Sequence, residues 1–264
     1  MSSKPEIVVE PSADRLAENV AARVTATLVA ALSLRPVAHL VVTGGGILEQ
    51  IFAALRNQST RDSVEWSRVH VWWGDERYVP ADSDQRNDLA ALAAGLDKLP
   101  LDPAKVHRMP ASDAGFGDAV DEAAAAYAAE LAAAVPAAHA ATGDDLPHFD
   151  IALIGIGPDG HCCSLFPEHP GVYEEELAVI GVRNCPKPPP SRLSFTFRAL
   201  DAATEVWFVA AGSGKADAVA LALGGAGRVQ VPSAGPRGVH RTMWLVDRAA
   251  AGKLPPNLYR APTA

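Results

Sequence analysis

A chain of 264 residues, 48% of them hydrophobic, can bury a substantial core in one or two domains. The balance of 31 acidic against 23 basic residues gives a formal charge of −8, and with no basic run or aromatic-basic stripe it argues against nucleic acid as a partner. The three cysteines, two of them adjacent at Cys162 and Cys163, offer no CxxC pair and no disulfide framework, as expected in a reducing compartment.

The opening segment is broken by charges. The apolar run at 24–34 is interrupted by threonine and is too short to span a bilayer, so a cytoplasmic location with no membrane association is expected. Short β-branched or aromatic runs at 7–9, 40–43, 69–73, 149–154, 179–182, 193–197, 206–210 and 243–246 predict strands, with helical patterns between most of them. Several of these runs are continuously apolar, as in LVV and IALI, which suits a sheet covered on both faces. The expected architecture is α/β: a doubly wound, mostly parallel sheet flanked by helices on both faces, in a single domain over residues 1–264. In the alanine-rich segment 118–135, Val120, Tyr127, Leu131 and Val135 share one helical face, which predicts a surface helix ended by Pro136. Residues 136–147 read as a polar loop, and PKPPP at 186–190 as a stiff extended connector.

Three stretches carry candidate chemistry. VVTGGGILEQ at 41–50 runs from a strand into three glycines and a helical pattern, an arrangement that aims backbone N–H groups at an anion. It lacks the G-K-[ST] of a P-loop, and a bare glycine-rich turn is the plainer reading. VWWGDERYV at 71–79 sets Asp75, Glu76 and Arg77 directly after an apolar strand, where a salt-bridged surface turn and a site are both open readings. GIGPDG at 155–160 satisfies G-x-G-x-x-G letter for letter. A dinucleotide site, however, needs that turn to open a helix and to be answered by an acid about 20 residues on. Here His161 follows at once, the nearest acids at 174–176 precede the next strand, and Asp159 would repel a pyrophosphate, so no nicotinamide cofactor is expected. What the turn delivers, at a strand's carboxyl end, is an Asp, a His and a backbone bend together.

The run of His and Cys at 161–169 resembles a metal cluster only in composition, because adjacent cysteines chelate one ion awkwardly, and no metal is expected. Cys162 and Cys163 read as packing residues rather than reactive thiols. Arg192 opens the strand RLSFTF, and Lys215 starts a helix after VWFVAAG. Singly each reads as a solvated charge. With the glycine-rich turn they supply the local positive field that a phosphate needs on an acidic protein. There is no G-x-S-x-G nucleophile elbow.

Taken together, VWWGDERYVP followed by Asn87, FDIALIGIGPDGHCCSLFPEHP, RLSFTF and AAGSGKADAV resemble, in order and spacing over residues 40–248, the 6-phosphogluconolactonase family of the glucosamine/galactosamine-6-phosphate isomerase-like superfamily. The resemblance implies hydrolysis of 6-phospho-D-glucono-1,5-lactone to 6-phospho-D-gluconate in the oxidative pentose phosphate pathway, without a cofactor. It makes His161 the general base that activates water against the lactone carbonyl and then protonates the leaving ring oxygen. It also makes Asp159 and Asp75 partners of the imidazole or of the sugar hydroxyls, and Arg77 a stabiliser of the oxyanion or a substrate ligand. For the phosphate it points to Thr43, Gly44 and Gly45 with Arg192 and Lys215. A monomer is expected.

Two positions depart from the family pattern. Gly46 stands where a serine or threonine is usual, which removes a side-chain donor, and Cys162-Cys163 stands for Thr-Ala. An amino-sugar-phosphate isomerase or deaminase is a rival reading, but it carries an MDEYVG-like turn where GDERYV stands. A non-catalytic sugar-phosphate-binding domain is another; it would be joined to a helix-turn-helix, and none precedes Leu40.

Overall fold

Apolar runs separated by amphipathic stretches fold here as alternating strands and helices. The computed structural model describes residues 4–141, 143–255 and 258. In chain order it places β1 (Glu6–Glu10), α1 (Ala13–Leu34), β2 (Ala38–Val42), α2 (Gly46–Asn57), β3 (Val69–Trp73), β4 (Asp75–Arg77), α3 (Asn87–Ala94), β5 (Val106–His107), α4 (Val120–Ala133), α5 (Ala137–Ala140), β6 (Ile151–Gly155), β7 (Val179–Val182), β8 (Arg192–Phe195), α6 (Phe197–Asp201), β9 (Glu205–Ala210), α7 (Ala216–Leu223) and β10 (Arg241–Asp247).

One seven-stranded, all-parallel sheet runs in the order β1-β10-β9-β6-β2-β3-β5. Every residue of β2 is buried, as a central strand covered on both faces must be. Helix α1 shows how the cover is built. Ser12 caps it by accepting the Arg15 N–H, and Leu16, Val20, Val24, Leu28 and Leu32 recur every four residues on its buried face. From β2 the chain winds outward to β3 and β5, then returns to β6 and winds the other way to β9 and β10. The neighbours β2 and β6 therefore form the topological switch point, where the loops after the strands part and leave a crevice.

All eight expected strands are present, with ends shifted by a residue or two, and Val120, Tyr127 and Leu131 are buried on α4 as the spacing predicts. The structure departs from expectation in three ways. The strands at 179–182 and 192–195 leave the main sheet and form, with β4, a small antiparallel sheet in the order β4-β8-β7. The connection between β7 and β8 spans only residues 183–191, too short for the crossover that parallel pairing requires. Strands β4 and β5 were not expected, since Asp75-Glu76-Arg77 has no apolar alternation and β5 has two residues. The 136–147 loop holds the single helical turn α5, and Thr142 within it lies outside the described residues. No helix among the described residues is long and apolar enough to cross a membrane.

Candidate active site

At the switch point β2 delivers Thr43. Its hydroxyl accepts the Gly155 N–H at the end of β6 (2.9 Å), so the side chain ties the two central strands together and is spent on the scaffold. Gly45 has φ of 131°, a backbone state that favours glycine, and α2 begins one residue later with Gly46 and Ile47 on the wall of a cleft. A Cβ on Gly44 would collide with the Asn87 side chain. Gly44 thus packs closely on Asn87, while Gly45 and Gly46 stand in open space and leave the N-terminus of α2 facing the cleft, where an anion is favoured.

On the other side of the switch, the chain after β6 doubles back. Gly157 N–H donates to the His161 carbonyl (2.8 Å) and Gly160, at φ 83°, turns the corner. A Cβ on Gly157 would strike both the His161 ring and the Asp159 carboxylate, so glycine at that position lets those two side chains meet. They meet at 2.5 Å, His161 Nδ1 to Asp159 Oδ1. A carboxylate on Nδ1 holds the proton there and leaves Nε2 as the basic nitrogen. Burial pushes the Asp159 carboxyl up, but the His161 hydrogen bond and the Lys187 ammonium outweigh it and hold Asp159 well below the usual carboxylate range. Lys187 Nζ lies 2.9 Å from Asp159 Oδ2 and 3.3 Å from His161 Nδ1. The imidazole packs on Phe166, with ring centroids 4.6 Å apart. No helix follows Gly160; the chain passes through turns to a short 3-10 turn at Pro170–Tyr173, so the helix of a dinucleotide fingerprint is missing.

The Asp75-Glu76-Arg77 segment is not a surface turn. Asp75 is 5% and Glu76 0% exposed. Asp75 Oδ2 accepts from Ser164 Oγ (2.8 Å) and its carbonyl from Asn87 Nδ2 (3.0 Å), so the carboxylate that meets the imidazole is Asp159. Arg77 Nη1 donates to the Gln85 carbonyl (2.7 Å), while its buried Nε has no hydrogen-bond partner among the described residues.

The expected phosphate cations divide. Lys215 Nζ donates to the Ile156 carbonyl (2.8 Å), and burial, with Lys187 nearby, lowers its pKa. Arg192 is buried, and its Nε and Nη2 are committed to the carbonyls of Pro189, Lys187 and Pro188 (3.1–3.3 Å), with the guanidinium over Phe166. It clamps the PKPPP connector that carries Lys187. Lys187 itself escaped sequence reasoning because it sits inside a segment legible only as a stiff linker. All the expected site residues except Asp159 line one cleft of about 540 Å³, and Asp159 stands behind His161. Cys162 and Cys163 are buried, which pushes both thiols up and makes them poor nucleophiles. Among the described residues no three His, Cys, Asp or Glu side chains converge as a metal site.

The family described as glucosamine-6-phosphate isomerases/6-phosphogluconolactonase matches residues 11–244. The 6-phosphogluconolactonase of Streptomyces coelicolor is 52% identical over 260 residues, covering 98% of each chain. That of Mycobacterium tuberculosis is 46% identical over 256 residues, covering 97% of this chain and all of its own. The crystal structure of devB protein superposes with a TM-score of 0.79 at 26% identity, over 95% of this chain and 99% of that one. With its doubly wound sheet and a cleft built at the switch point, the chain belongs to the glucosamine-6-phosphate isomerase/6-phosphogluconolactonase family.

Proposed function

We propose that this protein hydrolyses 6-phospho-D-glucono-1,5-lactone to 6-phospho-D-gluconate, with His161 moving the proton. The whole-chain identity to curated 6-phosphogluconolactonases supports the reaction. The observation that carries the mechanism is the 2.5 Å contact between Asp159 and His161 Nδ1, with the ring on the wall of a cleft whose other walls offer the α2 N-terminus and Lys215. His161 Nε2 takes a proton from water as the water oxygen bonds to the lactone carbonyl carbon, and Asp159 stabilises the imidazolium that forms. The carbonyl oxygen becomes an oxyanion, and the Arg77 guanidinium on the cleft wall stabilises that charge. As the tetrahedral intermediate collapses, the bond to the ring oxygen breaks and the imidazolium returns its proton to that oxygen. The open-chain acid leaves, and His161 is neutral again.

The phosphate anchors the far end through the amides of the 44–46 turn, Lys215 and the remaining reach of Arg192. The reading includes action as a monomer in the cytoplasm, without a cofactor. The three buried free cysteines suit a reducing compartment.

The test is to add purified protein to freshly generated lactone and follow acid release above the spontaneous rate. Catalysed release is the expected outcome. A blank-level trace, with ammonia released from glucosamine 6-phosphate instead, would assign the deaminase chemistry; binding without turnover of either would assign a sensor.

A further inference from the structure

A carboxylate removed from water costs several kcal/mol unless donors and cations surround it. Glu76 is 0% exposed, lies next to Arg77, and does no chemistry in the mechanism above. Its partners are unusual in number and placement. Oε1 accepts the backbone N–H groups of Arg77 and Asn87 (both 2.7 Å), and Oε2 accepts that of Asp88 (2.9 Å), with Arg86 Nη2 at 3.8 Å. Three main-chain donors from two separate segments converge on one side chain.

Two further contacts run in parallel, Arg77 Nη1 to the Gln85 carbonyl and Asn87 Nδ2 to the Asp75 carbonyl. Segments 75–77 and 85–88 are thereby sewn into one body. That body touches the cleft at Asp75, Arg77 and Asn87, and the Asn87 side chain fills the space beside Gly44 that a Cβ would need. The chain of contact therefore runs from the buried Glu76 carboxylate through Asn87 to the 43–46 turn, and through its own backbone to Arg77.

We propose that Glu76 is a positioning residue that couples the Arg77 wall of the cleft to the glycine turn, and so sets the grip on the phosphorylated substrate; this rests on the lactonase reading. Burial and the neighbouring Asp88 push the Glu76 carboxyl up to about 7, against Arg86 and the amides of Asn87 and Asp88. The other charged or titratable groups that bear on it are Asp75 and Arg77 on its own strand, Arg108, which pairs with Asp88, and Tyr127 on α4. Protonation turns one carboxylate oxygen into a hydroxyl and releases one of the three amides, so the coupling is complete in the ionised form.

Glu76→Gln keeps the shape and loses one acceptor. Its KM for the lactone should rise by about tenfold, the low end of a lost hydrogen bond to a charged group, while kcat stays within about threefold because the Arg77 side chain keeps its own bond to the Gln85 carbonyl and His161 hangs on a different loop. In the wild type KM should climb as pH falls through about 7; in the variant it should be flat. A purely structural Glu76 would lower the active fraction and the melting temperature at unchanged KM, and that result overturns the proposal. If the variant does not fold, amide exchange in the wild type decides. The N–H groups of Arg77, Asn87 and Asp88 should exchange at a common rate and slow together when inorganic phosphate is added; unrelated rates, or no response, overturn it. Calorimetric binding of 6-phosphogluconate to both proteins separates failure of the coupling from failure of the lactonase reading, since a lost grip appears there whether or not turnover does.

Discussion

Two regions of this molecule are built around histidine, at opposite ends of the same sheet. At the carboxyl end, His161 carries a carboxylate on Nδ1 and turns toward a cleft. At the amino end, His39 of β2, His70 of β3 and His107 of β5 stand side by side with rings stacked, at centroid distances of 4.6 Å and 5.1 Å, and Trp72 lies 3.6 Å from His107. There Glu130 accepts a hydrogen bond from His107 Nδ1 (2.5 Å), which leaves His107 Nε2 to accept from His70 Nδ1 (2.8 Å), and His39 Nδ1 accepts from Trp72 Nε1 (3.0 Å). Burial, with the neighbouring histidines, lowers His39 to about 3 and His70 to about 4. The ladder closes hydrogen bonds inside the fold, with His39 and His70 held neutral. In the proposed mechanism the histidine that does chemistry is the one that faces a cleft; His107 also has a carboxylate on Nδ1, but it is buried.

The hardest test of that contrast is His161→Ala. It should slow turnover by about 100- to 10,000-fold, the range for a lost general base, with substrate binding largely retained. Circular dichroism and a melting curve check that the variant is folded. A folded variant that keeps more than about a tenth of wild-type kcat would move the proton transfer to another group.

A smaller effect separates the cations of the cleft. Lys215→Ala and Arg192→Ala should each cut kcat/KM on the phosphorylated lactone by roughly 10- to 150-fold, since charge-assisted hydrogen bonds contribute roughly 1.5–3 kcal/mol. The loss on unphosphorylated gluconolactone should be less. Arg192 is expected to show the weaker substrate dependence, because two of its nitrogens hold the connector that carries Lys187. Equal losses on both substrates would mean that these residues serve the fold alone.

Much of this was legible in the sequence, for reasons that also explain what was not. Apolar runs such as IALI announce a strand covered on both faces, and a glycine turn after such a run announces a carboxyl-end loop, so the sheet, the 43–46 turn and the place of His161 on such a loop could all be read. The burial of Glu76 could not, because the groups that offset its charge lie 10 to 12 residues downstream, on Arg86, Asn87 and Asp88. The Ser164 hydroxyl that holds Asp75 is 89 residues away in the chain. Arg192 is legible as a cation but not as a clamp, since its acceptors are backbone carbonyls, which leave no mark in composition.

Lys187 sharpens the comparison further. Its ammonium and Asp159 are both about a third exposed, and an ion pair so placed contributes roughly 0.2–1 kcal/mol. Lys187→Gln should therefore lower kcat by no more than about fivefold. Without the ammonium, Asp159 keeps its hydrogen bond to His161 and remains a carboxylate at neutral pH. A loss of 100-fold or more would show that Lys187 touches the substrate itself.

The smallest expected effect on activity, and the cleanest on stability, belongs to the ladder. His39 and His70 have folded-state pKa values of about 3 and about 4, below the ordinary 6.5. Between pH 6.5 and about 4 the unfolded chain therefore binds protons that the folded protein refuses, and stability falls as pH falls across that window. Asp150 at the same end has its carboxyl raised by burial, which acts in the opposite sense. His70→Gln keeps a donor toward His107 Nε2 and removes one of the refused protons. Urea midpoints measured from pH 7.5 down to 4.5 should then decline less steeply for His70→Gln than for the wild type, while kcat at pH 7.5 is unchanged. Parallel declines would mean that the ladder does not sense acid, and a fall in kcat would mean that the two histidine regions are not independent. The ladder stands at the amino end of β2 and β3 and the cleft opens beyond their carboxyl ends, so a coupling between them would run along these strands or through Tyr127, whose hydroxyl donates to the His107 carbonyl and accepts the Trp73 N–H.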